Sequence, residues 1–193
     1  ETLHDEPSCD LLALGPHPDD VELSCGGWLV LAHQRAQQVV IVDLSHGERA
    51  SNGTRAERGA EAQWAAERLG VAARLHLGLP DCEIDGGNAE QIKAVIAAIR
   101  SYRPALILAP WTAARHPDHA AAGALVKRAA FLSGVRNYHP ELGAPWRPAR
   151  LIHYAQRQDA TPDFVVDIST VIAEKRAAIA CHASQFGAGP VET

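Results

Sequence analysis

The sequence predicts an α/β domain of three layers with a mainly parallel sheet in the middle. Three observations support this. Short apolar runs alternate with longer amphipathic ones at least four times along the chain, the signature of strand–helix–strand units. Residues 39–44 (VVIVDL) and 105–109 (ALILA) are continuous apolar runs, as strands covered on both faces require. Clusters of His and Asp follow two of the apolar runs, and open parallel sheets gather their sites beyond the carboxyl ends of strands.

Taken in order, residues 1–9 are polar and irregular and read as a tail. Residues 10–15 (DLLALG) form a buried strand, and 26–38 a helix with Trp28, Leu29, Leu31 and Ala32 on its apolar side. After the strand at 39–44, the polar stretch 45–53 is a loop. Thr54 caps a helix that runs to Leu69, with Gly70 as its stop. Residues 74–77 are a short strand and 80–88 a turn-rich loop. Residues 89–100 are an amphipathic helix with Ile92, Val95, Ile96 and Ile99 inward. The strand at 105–109 leads through a loop to a helix at 118–133. Residues 136–150, with three prolines, are irregular. Strands at 151–154 and 164–168 follow, and Ser169 caps a last helix to about His182.

Composition narrows the function. The chain has 193 residues, enough for one domain, assigned to 10–193. Its formal net charge of -5 and the lack of a Lys/Arg block exclude a nucleic-acid footprint. No apolar stretch has the roughly 18 residues of a membrane helix, and the N-terminus lacks a secretory pattern. Cys9, Cys25, Cys82 and Cys181 form no C-x-x-C pair, so they read as free thiols in a reducing, cytoplasmic setting. Ten His residues point weakly to metal or proton chemistry.

The chemistry lies in two clusters. Pro16-His17-Pro18-Asp19-Asp20 follows the first strand, and Arg115-His116-Pro117-Asp118-His119 follows the strand at 105–109. Either alone reads equally as a turn, with Asp118 a helix cap. Two such clusters at strand ends together offer more than the three N/O ligands of a catalytic zinc. His116 and His119, three apart at a helix start, can divide metal binding and acid–base work. Glu22 reads either as a partner of a ligand histidine or as a helix starter. Gly26-Gly27 reads as close helix packing, and Trp28 and Trp64 as core. Arg115 either binds an anionic substrate group or pairs with an acid. Residues 45–48 (SHGE) either rim the pocket or lie in a surface loop. Ser24 lacks the G-x-S-x-G context of a serine hydrolase.

These motifs resemble the PIG-L/LmbE-like family of zinc N-deacetylases. The resemblance rests on HPDD at 17–20 and HPDH at 116–119. GPHPDDVELSCGG, SNGTRAER, LPD at 79–81, PDFVVDIS and HASQF extend it toward the branch of bacillithiol-biosynthesis deacetylases. The resemblance implies a Rossmann-like fold and a Zn2+ cofactor, with Fe2+ as a substitute, held by His17, Asp20 and His119. It further implies Asp19 as general base, His116 as general acid or oxyanion stabiliser, Asp118 as the carboxylate tuning His116, and Arg58 as a substrate-binding arginine, with Arg115 beside it. The expected reaction is hydrolysis of the acetamide of an N-acetylglucosaminyl conjugate such as N-acetylglucosaminyl-malate. The alternatives are another N-acetylglucosamine compound, a related thiol-conjugate amidase, or a catalytically silent sugar binder. The expected partners are a small N-acetyl sugar and further copies in a homo-oligomer, frequently a hexamer in the family, with no nucleic acid and no membrane. The family's usual C-terminal segment is expected to be missing after Thr193.

Overall fold

The computed structural model describes residues 8–156 and 161–187. Its centre is a five-stranded, all-parallel sheet in the order β3-β2-β1-β4-β5. The strands are β1 (Cys9–Gly15), β2 (Val39–Asp43), β3 (Ala73–His76), β4 (Pro104–Pro110) and β5 (Arg150–Tyr154). The helices are α1 (Asp20–Gln34), α2 (Arg55–Leu69), α3 (Ala89–Tyr102), α4 (Pro117–Leu132), α5 (Ile172–Ala180) and the short α6 (Ala183–Phe186). No described helix is long and apolar enough to cross a membrane.

The two-residue period of a strand divides the core into two layers. Leu12, Leu14, Val40, Val42, Ile107 and Ala109 join Ile92, Val95, Ile96 and Ile99 of α3 and Leu125 and Val126 of α4. Leu11, Ala13, Val39, Ile41 and Leu108 meet Val21, Cys25 and Leu29 of α1, Ala65 and Leu69 of α2, and Ala178 of α5. Continuous apolar runs are therefore needed in β1, β2 and β4, because both faces of each are covered. The caps follow the local chemistry. Thr54 accepts from the Glu57 N–H and the Glu57 carboxylate returns to the Thr54 N–H, a full capping box. Gly70 ends α2 in the left-handed region at φ 69°.

Three expectations are corrected. The first helix starts at Asp20, not at residue 26, because the HPDD motif is itself the helix entry. Residues 164–168 form no strand. They cross α1, with Phe164 edge-on to Trp28 at 6.1 Å and Ile168 over Gly27. Val166 and Ile168 are partly covered by this crossing while Phe164 and Val165 stay exposed, and no ladder partner is present among the described residues. Trp64 is 56% exposed. The buried stripe of α2 runs through Arg58, Glu61, Ala62, Ala65 and Leu69 and leaves Trp64 on the other face.

A Cβ on Gly27 would stand 2.8 Å from Ile168 side-chain carbons, whereas one on Gly26 would meet nothing closer than 3.5 Å. Gly27→Ala is therefore expected to cost about 1–3 kcal/mol through overpacking, with Gly26→Ala nearly neutral. Urea unfolding of the two variants checks this, and equal effects would contradict it.

Candidate metal centre and active site

The winding runs outward from β1 through β2 to β3, then returns to β4 on the other side of β1. The β1–β4 boundary is thus the topological switch point, where connections leave in opposite directions and open a crevice. HPDD follows β1 and HPDH follows β4, so the two motifs converge there.

Asp20 is the hub. It is the first residue of α1 and is 4% exposed. Its Oδ2 accepts from the His17 N–H at 2.9 Å and lies 3.2 Å from His17 Nδ1. Its Oδ1 lies 3.3 Å from His119 Nε2 and accepts from Gln156 Nε2 at 2.6 Å. One donor atom from each of His17, Asp20 and His119 lies within 4.8 Å of the others. Tetrahedral zinc with bonds of roughly 2.0–2.1 Å places its ligand atoms about 3.3 Å apart. The Nδ1–Oδ2 and Nε2–Oδ1 separations of 3.2 and 3.3 Å show that each histidine meets its own oxygen of the Asp20 carboxylate. Two imidazoles and one carboxylate are also a donor set suited to zinc or ferrous iron.

The far side of His17 is held as well. Its Nε2 lies 3.2 Å from Asp118 Oδ2 and 3.1 Å from Asp81 Oδ1. Asp118 Oδ2 also accepts the Cys82 N–H at 2.8 Å, and Asp81 Oδ2 accepts the Arg49 N–H at 2.7 Å. Carboxylates on Nε2 leave Nδ1 as the face that meets Asp20, the usual way in which a ligand histidine is oriented.

Charge follows this geometry. Burial pulls the His17 imidazole toward neutrality, but its bond to Asp20 and the charges of Asp20 and Asp81 prevail and raise its pKa to about 9. Burial and the charges of His17 and His116 lower that of His119 despite Asp20. Burial, then the charge of Asp20, hold the Asp19 carboxyl well above the ordinary range, with Arg58 opposing.

His116 caps α4. Its Nδ1 accepts the Asp118 N–H at 3.2 Å, and an accepting Nδ1 places the imidazole proton on Nε2. The His116 ring stands 5.2 Å from that of His17 and 4.9 Å from that of His119. Asp118 was expected to tune His116 through its carboxylate. That carboxylate instead serves His17 and Cys82, and His116 receives the Asp118 backbone N–H. His116 and His119 also line a cleft of about 180 Å³ with Trp111, Arg115, Tyr154 and Gln156. Arg115 is exposed there and makes no ion pair among the described residues. Arg58, expected at the substrate, is only 3% exposed. Its guanidinium is taken up by the carbonyls of Gly47 and Pro18 and the Asp19 carboxylate.

The PIG-L family model, described as GlcNAc-PI de-N-acetylase, matches residues 12–130, which span both motifs. This chain belongs to the PIG-L family. It is 31% identical over 187 residues to the diacetylchitobiose deacetylase of Thermococcus kodakarensis, covering 91% of this chain and 70% of that one. A conserved protein of Thermus thermophilus superposes with a TM-score of 0.88 at 40% identity, over 94% of this chain and 82% of its own. The N,N'-diacetylchitobiose deacetylase of Pyrococcus horikoshii, in complex with an inhibitor, gives 0.82 at 26% identity, over 92% and 70%.

In this PIG-L chain, motif reading alone did not single out Asp81, Gln156 or the ion cluster behind the site. Asp81 lay in the LPD segment and was legible there, whereas Gln156 carries no local signal. Glu22 touches no ligand histidine. It bonds Arg74 and, at 2.9 Å, His182. Arg74 also grips Asp43 through Nε at 2.7 Å and Nη2 at 3.0 Å. The side chains of Glu22, Asp43, Arg74 and His182 are all fully buried. The second residue of α1 past Asp20 is thereby anchored to β2, β3 and the end of α5.

Burial raises the Glu22 carboxyl, but the charge of Arg74 and the His182 bond outweigh it and bring it to about 2 from an ordinary 4.5. A pKa depressed in the folded state gives stability that is complete above the ordinary value and is lost as pH falls through the folded one. Stability is therefore expected to fall between pH 4.5 and 2, and Glu22→Gln is expected to flatten that segment while lowering stability at neutral pH. Urea midpoints across this range test it. An unchanged slope in the variant would show that Glu22 is not the titrating group.

Proposed function

We propose that this chain is a zinc-dependent N-deacetylase that hydrolyses the acetamide of an N-acetylglucosaminyl conjugate to acetate and a free amine. The reading rests on one observation. The His17–Asp20–His119 donor set has Asp19 adjoining Asp20 in the chain and the His116 ring 5.2 and 4.9 Å from the rings of His17 and His119. A pure binder needs neither group beside a metal. The deacetylase names of the Thermococcus and Pyrococcus relatives support the reaction class.

Zinc, when bound by His17, Asp20 and His119, supplies Lewis acidity to the amide carbonyl and acidifies water. This chain's own residues then act around it. Asp19 accepts the proton of the attacking water, as general base. As the carbonyl carbon becomes tetrahedral, His116 donates its Nε2–H to the developing oxyanion. The Asp118 N–H occupies Nδ1 and leaves Nε2 as the nitrogen that faces substrate. The proton on Asp19 is available to the departing amine, so one water is consumed and acetate and amine are released. Asp118 and Asp81 keep His17 oriented throughout. Trp111 and Tyr154 form the apolar wall of the cleft, and Arg115 at its rim suits a carboxylate such as that of a malate aglycone.

Asp19→Ala is expected to retain metal and to lose about 10²–10⁴-fold in turnover. His119→Ala is expected to lose the metal itself. Metal content beside acetate release separates the two, and equal metal loss in both would undo the division of roles. Cation uptake by metal-free protein near neutral pH is expected to expel about one proton, since His17 holds its proton to about 9 and must give it up to bind. Calorimetry in two buffers of different ionisation enthalpy measures this, and buffer-independent heats would count against it. For substrate class, amine release is compared on diacetylchitobiose and N-acetylglucosaminyl-malate. A higher kcat/KM for the malate conjugate is expected, and the reverse preference would reassign the substrate.

A further inference from the structure

We infer that Gln156 is a positioning residue for Asp20, its neutral amide fixing the carboxylate between the two histidines without cancelling the charge that draws a cation. The inference rests on the donor set of His17, Asp20 and His119 proposed above.

The end of β5 sets the amide in place. This strand lies at the edge of the sheet beside β4, with Tyr154 opposite Pro110. Tyr154 is tied on two sides. Its hydroxyl donates to the Leu14 carbonyl near the end of β1 at 2.8 Å, and its carbonyl accepts the Trp111 N–H at 2.9 Å. Two residues on, Gln156 Nε2 donates to Asp20 Oδ1 at 2.6 Å, across 136 residues of sequence. Gln156 also lines the cleft beside Trp111, Arg115 and His116.

The set of donors on Asp20 changes when a metal binds. In the metal-free protein Oδ2 has the His17 N–H at 2.9 Å and His17 Nδ1 at 3.2 Å, and Oδ1 has Gln156 Nε2 and, at 3.3 Å, His119 Nε2. A histidine nitrogen that gives its lone pair to a metal carries no proton to donate. Ligation therefore withdraws both imidazole nitrogens as donors to the carboxylate. Two donors remain among the described residues, the His17 N–H on one oxygen and the Gln156 amide on the other. The first is backbone and comes with the motif. The second is a side chain supplied from another strand. Such a bond orients a ligand carboxylate and favours its ionised form.

The neutrality of the amide matters as much as its reach. A lysine at this point would also donate to Asp20, but its charge would repel a divalent cation in the same site. The neighbouring carboxylates follow the same rule. Asp118 is held by the Cys82 N–H and Asp81 by the Arg49 N–H, again by donors that fix a carboxylate and leave its charge in place.

The test is zinc affinity, measured by competition with a chromophoric chelator on metal-free wild type, Gln156→Leu and Gln156→Lys. Gln156→Leu is expected to bind zinc about 10–100-fold more weakly, with the urea midpoint of the metal-free protein unchanged. Gln156→Lys is expected to bind more weakly still. Wild-type affinity in Gln156→Leu overturns the inference, and a rise in KM for diacetylchitobiose at that unchanged affinity would make Gln156 a substrate contact instead. Loss of affinity matched by an equal loss of metal-free stability would mark a merely structural role and overturn it too. Wild-type affinity in Gln156→Lys would overturn the part given to neutrality. Zinc affinity kept in Asp20→Ala would remove the donor set on which the inference rests. Wild-type protein that binds zinc but hydrolyses neither diacetylchitobiose nor N-acetylglucosaminyl-malate would remove the deacetylase reading alone, and the affinities would still decide the role of Gln156.

Discussion

Three carboxylates meet around one imidazole with no fixed positive charge among them, and much of the structure is arranged about that fact. Asp20, Asp81 and Asp118 all reach His17, and among the described residues no Lys or Arg side chain pairs with any of them. Concentrated negative charge at a half-closed site demands a cation. In the metal-free protein a proton on His17 meets part of that demand, and a divalent ion meets it better. The same field that holds the proton is what makes the donor set of His17, Asp20 and His119 attractive to a metal. The parallel sheet contributes by setting β1 beside β4, which lets carboxylates from distant parts of the chain approach at all.

α1 carries a second carboxylate with the opposite solution. Glu22 lies two residues beyond Asp20, but Arg74 reaches it and Asp43 through a buried fork. That cation belongs to the chain and cannot exchange. The helix is therefore locked at one point by a permanent positive charge and left open to an exchangeable one at the neighbouring point. This division lets a single helix be rigid support at Glu22 while its Asp20 carboxylate faces the two histidines. Tyr154 adds to the support from β5, its hydroxyl donating to the Leu14 carbonyl at 2.8 Å.

Much of this was legible in the sequence where the physical signal is local. The strands at 39–44 and 105–109 showed in unbroken apolar runs, the α2 boundaries in Thr54 and Gly70, and the two motifs in their place after strands. Signals that depend on distant partners were less legible. The 164–168 segment has strand composition but meets α1 and no open sheet edge. Trp64 has helical spacing, yet the buried stripe of α2 takes polar residues, Arg58 and Glu61, in place of the aromatic. Asp118 sits beside His116 in sequence, but its side chain crosses to His17, whose position 101 residues earlier no local pattern reveals. Gln156 reaches Asp20 across a separation of 136 residues without any motif to mark it.

The wide sequence separations have a consequence for synthesis on the ribosome. Glu22 finds His182 across 160 residues, and Glu61 finds Ser184 across 123. Both motif helices and the sheet could emerge and collapse while the segment bearing His182 and Ser184 was still being made. Until that segment arrived, Glu22 would hold Arg74 alone and Glu61 would lack its bonds from Ser184. A nascent chain would thus display both His/Asp motifs before the last bonds behind their helices had formed.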